Sequence, residues 1–170
     1  MMKIVWFRQD LRLSDNPALF EAAKLGKILP IYILDDENAG LFKMGSASRW
    51  WLHHALEDLN DNLQGKLNFF KGDAISILKE LIAQHDITGL YWNRCYEACR
   101  VERDKKIKES FADDCDTRSF NGSLLWEPWQ VLKQDKTPYK VFTPFYRKGC
   151  LNAPEPREPL AWPSKLDFYE

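Results

Sequence analysis

Arg8, Gln9 and Asp10 stand directly after an apolar run, Ile4-Val5-Trp6-Phe7, and supply a fixed cation, an amide and a carboxylate. A second run, Ile28-Leu29-Pro30-Ile31-Tyr32-Ile33-Leu34, ends in Asp35-Asp36-Glu37. A later one, Gly89-Leu90-Tyr91-Trp92, ends in Asn93-Arg94-Cys95-Tyr96-Glu97. Carboxylates of this kind accept from ring N–H or hydroxyl groups, and guanidinium groups donate. No Ser-His-Asp arrangement and no metal-ligand set runs through the three clusters, so no catalytic residue and no metal are expected. The chemistry they suit is ligand binding in a crevice rather than hydrolysis. The first turn also lacks the glycine fingerprint of a dinucleotide or nucleoside-triphosphate loop.

The elements that must position these groups read as strands alternating with helices. Ser14, Asp15 and Asn16 offer N-cap chemistry before Pro17, which suits a first helical turn. A helix over 17–25 closes at Gly26. A polar loop through Gly40 and Gly45 follows the second strand. Residues 46–63 form an amphipathic helix with Trp50, Leu52, Ala55, Leu56, Leu59 and Leu63 in its apolar stripe. Strands are predicted at 67–70, 89–93 and, more weakly, 115–120, with helices from about 75 to 85 and 101 to 111. This alternation marks right-handed βαβ crossovers, and predicts a Rossmann-like, doubly wound, mainly parallel five-stranded sheet of order 3-2-1-4-5. In that order strands one and four are neighbours at the switch point, so the turns at Arg8 and Asn93 face each other and Asp35 flanks the same rim.

The bulk properties bound the possibilities. A chain of 170 residues with 45% hydrophobic and 29% charged content suits a soluble domain with a substantial core. Lys+Arg 24 against Asp+Glu 25 argues against a surface whose main task is gripping nucleic acid. No apolar run approaches the roughly 18 residues of a membrane span. The chain enters a strand at once, with no visible signal peptide, and its four scattered cysteines read as reduced thiols. A cytoplasmic protein with no membrane partner is expected. Cys95 and Cys99 could form half of a metal site, but the histidines are far off in sequence.

Four segments carry a family resemblance. Val5-Trp6-Phe7-Arg8-Gln9-Asp10-Leu11-Arg12-Leu13-Ser14-Asp15-Asn16-Pro17 resembles the opening of DNA photolyases and cryptochromes. Met44-Gly45-Ser46-Ala47-Ser48-Arg49-Trp50-Trp51-Leu52-His53-His54, Trp92-Asn93-Arg94-Cys95-Tyr96-Glu97 with Arg103-Asp104, and Tyr139-Lys140-Val141-Phe142-Thr143-Pro144-Phe145 agree, in order. The likeness covers the whole chain and reads as nearest to bacterial class I pyrimidine-dimer photolyases. It implies an N-terminal α/β antenna domain at 1–130 and an extended, aromatic and proline-marked linker at 131–170. The linker would lead to a helical domain, absent from this chain, that holds FAD and the DNA lesion. That helical domain and, through it, damaged DNA are the implied partners. The implied activity is light-driven splitting of cyclobutane pyrimidine dimers, with this chain alone inactive. A blue-light receptor cryptochrome is the alternative, and a stand-alone flavodoxin-like nucleotide-binding module is a third reading.

The resemblance also implies an antenna pocket lined by Arg8, Gln9, Asp35, Met44, Cys95, Glu97 and Arg100. Folate-binding members carry an Asn-Glu pair where this chain has Cys99-Arg100, and a cysteine with an arginine cannot supply an amide and a carboxylate. The deazaflavin pattern has an acidic residue at Cys95. Asp35 and Glu97 retain acceptors for ring donors, while Arg8 and Arg100 suit a phosphate or acidic tail. A flavin or deazaflavin therefore ranks ahead of folate as the antenna, with an empty pocket as the remaining alternative. The tryptophans read as packing mass, one of Trp50 and Trp51 in the sheet core. The charged run 100–108 reads as a solvated helix face.

Overall fold

The computed structural model describes residues 1–36 and 43–169; the part of the polar loop expected around Gly40 lies outside them. Five strands form one parallel sheet in the order 3-2-1-4-5. They are β1 (Met2–Phe7), β2 (Lys27–Leu34), β3 (Asn68–Lys71), β4 (Ile87–Asn93) and β5 (Asp116–Phe120). The helices are α1 (Pro17–Ala23), α2 (Ser46–Asn62), α3 (Ala74–Gln84) and α4 (Ala98–Ser110).

The three central strands β1, β2 and β4 are buried and mainly apolar on both faces, as a sheet covered on both sides requires, whereas the edge strands β3 and β5 are more polar. Along β1 the side chains alternate. Ile4 and Trp6 enter a core with Leu78 of α3 and Ile107 of α4, whereas Val5 and Phe7 enter a second core with Leu19 of α1 and Leu59 of α2. Asn16 caps α1, its side-chain oxygen accepting from the Leu19 N–H at 3.1 Å, and Asp73 caps α3 through the Ser76 N–H at 2.8 Å. Gly26 turns the chain at φ 130°, a conformation only glycine takes without strain.

One aromatic expectation changes. Trp50 and Trp51 are both exposed, at 64% and 72%, and neither enters the sheet core. The C-terminal half of α2 buries Leu59, and Leu63 just beyond it, against the sheet; its first turns stand beside a cleft instead, and among the described residues Trp50 joins neither core cluster. Trp6 and Trp92 do pack in the core, edge to face at 6.3 Å between ring centroids.

The chain divides into two compact units. The first comprises Met1–Gly122 with the segment from Leu160 onward; the second is Ser123–Pro159. Within the first unit the returning segment satisfies groups that β3 leaves unpaired, because β3 pairs with β2 only from Ile31 onward. The Ile28 N–H donates to the Asp167 carbonyl at 2.8 Å, and the Tyr169 N–H donates to the Ile28 carbonyl at 3.0 Å. Phe168 packs on the second core there. The second unit contains short helical turns over 142–152, with Phe142 and Tyr146 stacked at 5.9 Å.

Candidate functional site

The carboxyl end of β1 is tied to its neighbours by a buried polar knot. Asp10 accepts from the Arg8 N–H at 2.9 Å through one carboxylate oxygen and from the Asn93 side-chain amide through the other. The same Asn93 amide reaches the Asn16 side-chain oxygen at 2.7 Å, and the Asn93 oxygen accepts from the Ala18 N–H at 3.1 Å. Three side chains thus lock the end of β1, the start of α1 and the end of β4 together, with their polar atoms paired in the interior. Arg12 adds donations to the carbonyls of Asp15 and Gly122.

Arg8 is the first residue beyond β1 and its side chain is buried. One terminal nitrogen donates to both oxygens of Asp104, at 2.7 and 2.9 Å, and the other donates to the Asn93 carbonyl. Asp104 also accepts from the Trp92 indole N–H at 3.0 Å and from Arg103 at 3.2 Å. A carboxylate met by four donations is a satisfied buried charge. Arg103 in turn lies 3.8 Å from Asp35. The guanidinium groups of Arg8 and Arg103 lie 5.0 and 4.8 Å from the Trp6 ring. Among the described residues, the Nε atoms of both arginines and the Trp6 indole nitrogen have no hydrogen-bond partner. The charged run 100–108 is therefore not only a solvated face: Asp104 falls in register with Ile107 and Phe111, three and seven residues on, and turns inward with them.

Above this floor opens a cleft of about 930 Å³ at the carboxyl ends of β1 and β2, between the first turns of α2 and α4. Its size is that of a small-molecule or cofactor site. Of the seven residues expected to line a pocket, Arg8, Gln9, Asp35, Met44 and Arg100 do so. Cys95 and Glu97 are not in the lining. Glu97 instead accepts from the Gln9 side-chain amide at 2.9 Å, so it orients a residue that does line the cleft. Cys95 is buried, and its sulfur accepts from Arg100 at 3.8 Å. Burial pushes the Cys95 thiol up, although the Arg8 and Arg100 charges pull the other way. Burial also acts to raise Glu97, but backbone hydrogen bonds, the Gln9 amide and the Arg100 charge outweigh it and hold the carboxyl below its usual value.

The opposite wall comes from α2: Ala47, Ser48, Trp51, Leu52 and Ala55. Cys99 and Arg100, at the start of α4, face the cleft as well. Among the described residues, the lining holds no histidine, and its chemistry is an apolar wall with an amide, two carboxylates and several guanidinium groups. That set fits a planar heteroaromatic ligand with ring donors and an anionic part.

Sequence reasoning missed Trp6, Trp51, Arg103 and Asp104 as parts of this site. The signal for Asp104 was its spacing from Ile107 and Phe111, which puts a carboxylate on an apolar stripe. The signal for Trp51 was its separation from Leu52 and Ala55 by one and four residues, which brings it to the flank of the same stripe.

A family model described as DNA photolyase matches residues 3–163. The chain is 42% identical over 168 residues to a deoxyribodipyrimidine photo-lyase of Agrobacterium fabrum, covering 96% of this chain and 34% of that protein. It is 32% identical over 169 residues to Cryptochrome-1 of Arabidopsis thaliana, covering 96% and 25%. Its fold matches the crystal structure of a bacterial class III photolyase from Agrobacterium tumefaciens with a TM-score of 0.88 at 37% identity, covering 99% of this chain and 35% of that one. The solved relative is thus of class III, whereas the motifs read as nearest to class I. The chain spans between a quarter and about a third of the length of these relatives. With a family model matched over nearly its whole length and a sheet of the same topology, the chain belongs to the DNA photolyase family and carries its N-terminal α/β domain.

Proposed function

We propose that this α/β domain is the antenna domain of a light-driven, FAD-dependent deoxyribodipyrimidine photo-lyase that repairs cyclobutane pyrimidine dimers. The observation that carries the reading is the cleft at the switch point of the sheet, where Gln9, Asp35, Met44 and Arg100 meet the apolar wall of α2. An antenna chromophore held there would supply absorption of light. The chain's own part is to bind and orient it. Asp35 accepts ring donors, the Gln9 amide is steadied by Glu97, Arg100 faces an anionic part, and Trp51 and Leu52 exclude water from the ring.

The donor set favours a flavin or deazaflavin over folate, because Cys99 and Arg100 stand where folate-binding members carry an amide and a carboxylate. FAD and the lesion would belong to a helical domain reached through the linker expected over residues 131–170, of which the segment from Leu160 onward packs back on the α/β unit. The domain alone, without the helical cavity, would neither hold FAD nor repair DNA, and its near-zero net charge gives little counterion-release drive toward DNA. The cytoplasm is the proposed compartment; among the described residues no helix is long and apolar enough to cross a membrane.

Cryptochrome is the second reading, favoured by the 32% identity to the Arabidopsis protein. The test is illumination of the full-length protein with dimer-containing DNA. Light-dependent recovery of intact pyrimidines supports the photolyase. Light-driven flavin reduction without recovery supports the receptor. A reading frame with no helical region downstream would overturn both.

A further inference from the structure

The sequence places His53 and His54 side by side, and their spacing to the cysteines offers no metal site. The fold supplies a different third ligand. Glu57 lies four residues after His53 and three after His54, the two separations that bring helix side chains together. One Glu57 oxygen is 3.3 Å from His53 Nε2 and the other is 2.9 Å from His54 Nδ1. The three candidate ligand atoms all lie within 4.8 Å of one another. A divalent ion bound at about 2.0–2.2 Å from nitrogen and oxygen ligands needs ligand atoms roughly 3 Å apart; each imidazole already stands at that distance from one Glu57 oxygen, and the remaining separations lie within 4.8 Å.

The site is also held in shape. The two imidazole rings meet edge to face at 5.2 Å, and the Trp50 ring packs on His54 at 4.6 Å. Trp50, which no core packing explains, thus has a role in fixing the His54 ring.

We propose that the exposed face of α2 is a binding site for one borderline divalent transition-metal ion, zinc or copper, coordinated by His53, His54 and Glu57. Two imidazoles with a single carboxylate select this class over calcium or magnesium, which take oxygen ligands. Three protein ligands leave open coordination positions, so the site is of the open kind rather than a closed structural one. It stands apart from the cleft, none of whose lining residues it uses.

The test is calorimetric titration of the 170-residue chain with zinc chloride at neutral pH. One equivalent should bind in the micromolar range. His54→Ala and Glu57→Gln should each raise Kd at least about tenfold, because even loss of a ligand's supporting partner typically costs that much. All three side chains are more than half exposed, so the variants fold; circular dichroism checks this. His85→Ala, whose ring contacts Tyr169 elsewhere, should leave binding unchanged. One equivalent of cupric ion should quench tryptophan fluorescence, and Trp50→Phe should remove most of that quenching. Absence of saturable binding below millimolar metal, or binding that survives both ligand substitutions, overturns the proposal.

Discussion

The Arg8 guanidinium reaches Asp104 across 96 positions of sequence, with one nitrogen within 2.7 and 2.9 Å of the two carboxylate oxygens. The pair joins the end of β1 to the middle of α4, so it sets the separation of the cleft floor from the helix that carries Cys99, Arg100 and Arg103. Removing Asp104 strands a buried guanidinium. Asp104→Ala should cost about 3–5 kcal/mol of stability. Replacing both partners with apolar residues, as in Arg8→Met with Asp104→Leu, should recover much of that loss. Urea unfolding at unchanged slope measures both. A single substitution costing under about 1 kcal/mol would mean that the pair is not the tie described.

Gly122 approaches Asn93 so closely that a Cβ there would lie 2.6 Å from the Asn93 side-chain carbon. Asn93 is fixed by Asp10, Asn16 and Ala18 and cannot move without breaking the polar knot. Gly122→Ala should destabilise the domain by about 1–3 kcal/mol, the usual range for overpacking. Thermal unfolding reads it, and an unchanged midpoint would show that the knot yields.

The two cysteines nearest the cleft differ in accessibility. Cys95 is buried and its thiol is pushed up by burial, whereas Cys99 is exposed at the cleft wall. The thiolate is the reactive form, so iodoacetamide at neutral pH should alkylate Cys99 well before Cys95. Peptide mapping by mass spectrometry gives the order. A cleft ligand should protect Cys99; equal labelling with and without a bound ligand would place the ligand elsewhere.

Tyr91 should ionise late. Burial, then its 2.8 Å hydrogen bond to Asp116, pushes it up to about 12 from its ordinary 10. The folded state thus holds this proton more tightly than the unfolded chain. Its contribution to stability is complete below about pH 10 and is lost as pH rises through about 12. Burial raises Tyr32 as well. Ultraviolet titration of the folded protein should show a late phase that shrinks in Tyr91→Phe, while the urea-unfolded chain titrates together near 10. Early ionisation of every tyrosine in the folded protein would contradict the buried placement.

The sheet was legible because its signals are local. Four apolar runs end in charged turns, glycine and proline punctuate them, and alternation with helices leaves few topologies. The rim was legible for the same reason: Arg8, Gln9 and Asp35 are strand-end residues in an α/β fold. What escaped depends on which way a helix faces. The run Arg100 to Lys108 looks uniformly solvated until Ile107 and Phe111 fix the buried side and carry Asp104 inward. Trp50 and Trp51 fit an amphipathic stripe by spacing, yet only the sheet's extent decides that the first turns of α2 overhang a cleft. Cys95 and Glu97 sit in the right turn, but one points into the core and the other bonds Gln9.

The most direct measurement is reconstitution of the domain with FMN, a deazaflavin and a methenyl folate separately, followed by desalting and absorbance. The antenna reading expects near-stoichiometric retention of a flavin or deazaflavin, weakened at least about tenfold by Arg100→Glu, since opposing an anionic group with a carboxylate replaces attraction by repulsion. Retention of folate alone would contradict the ligand ranking. Retention of none of the three would contradict an antenna role for the cleft.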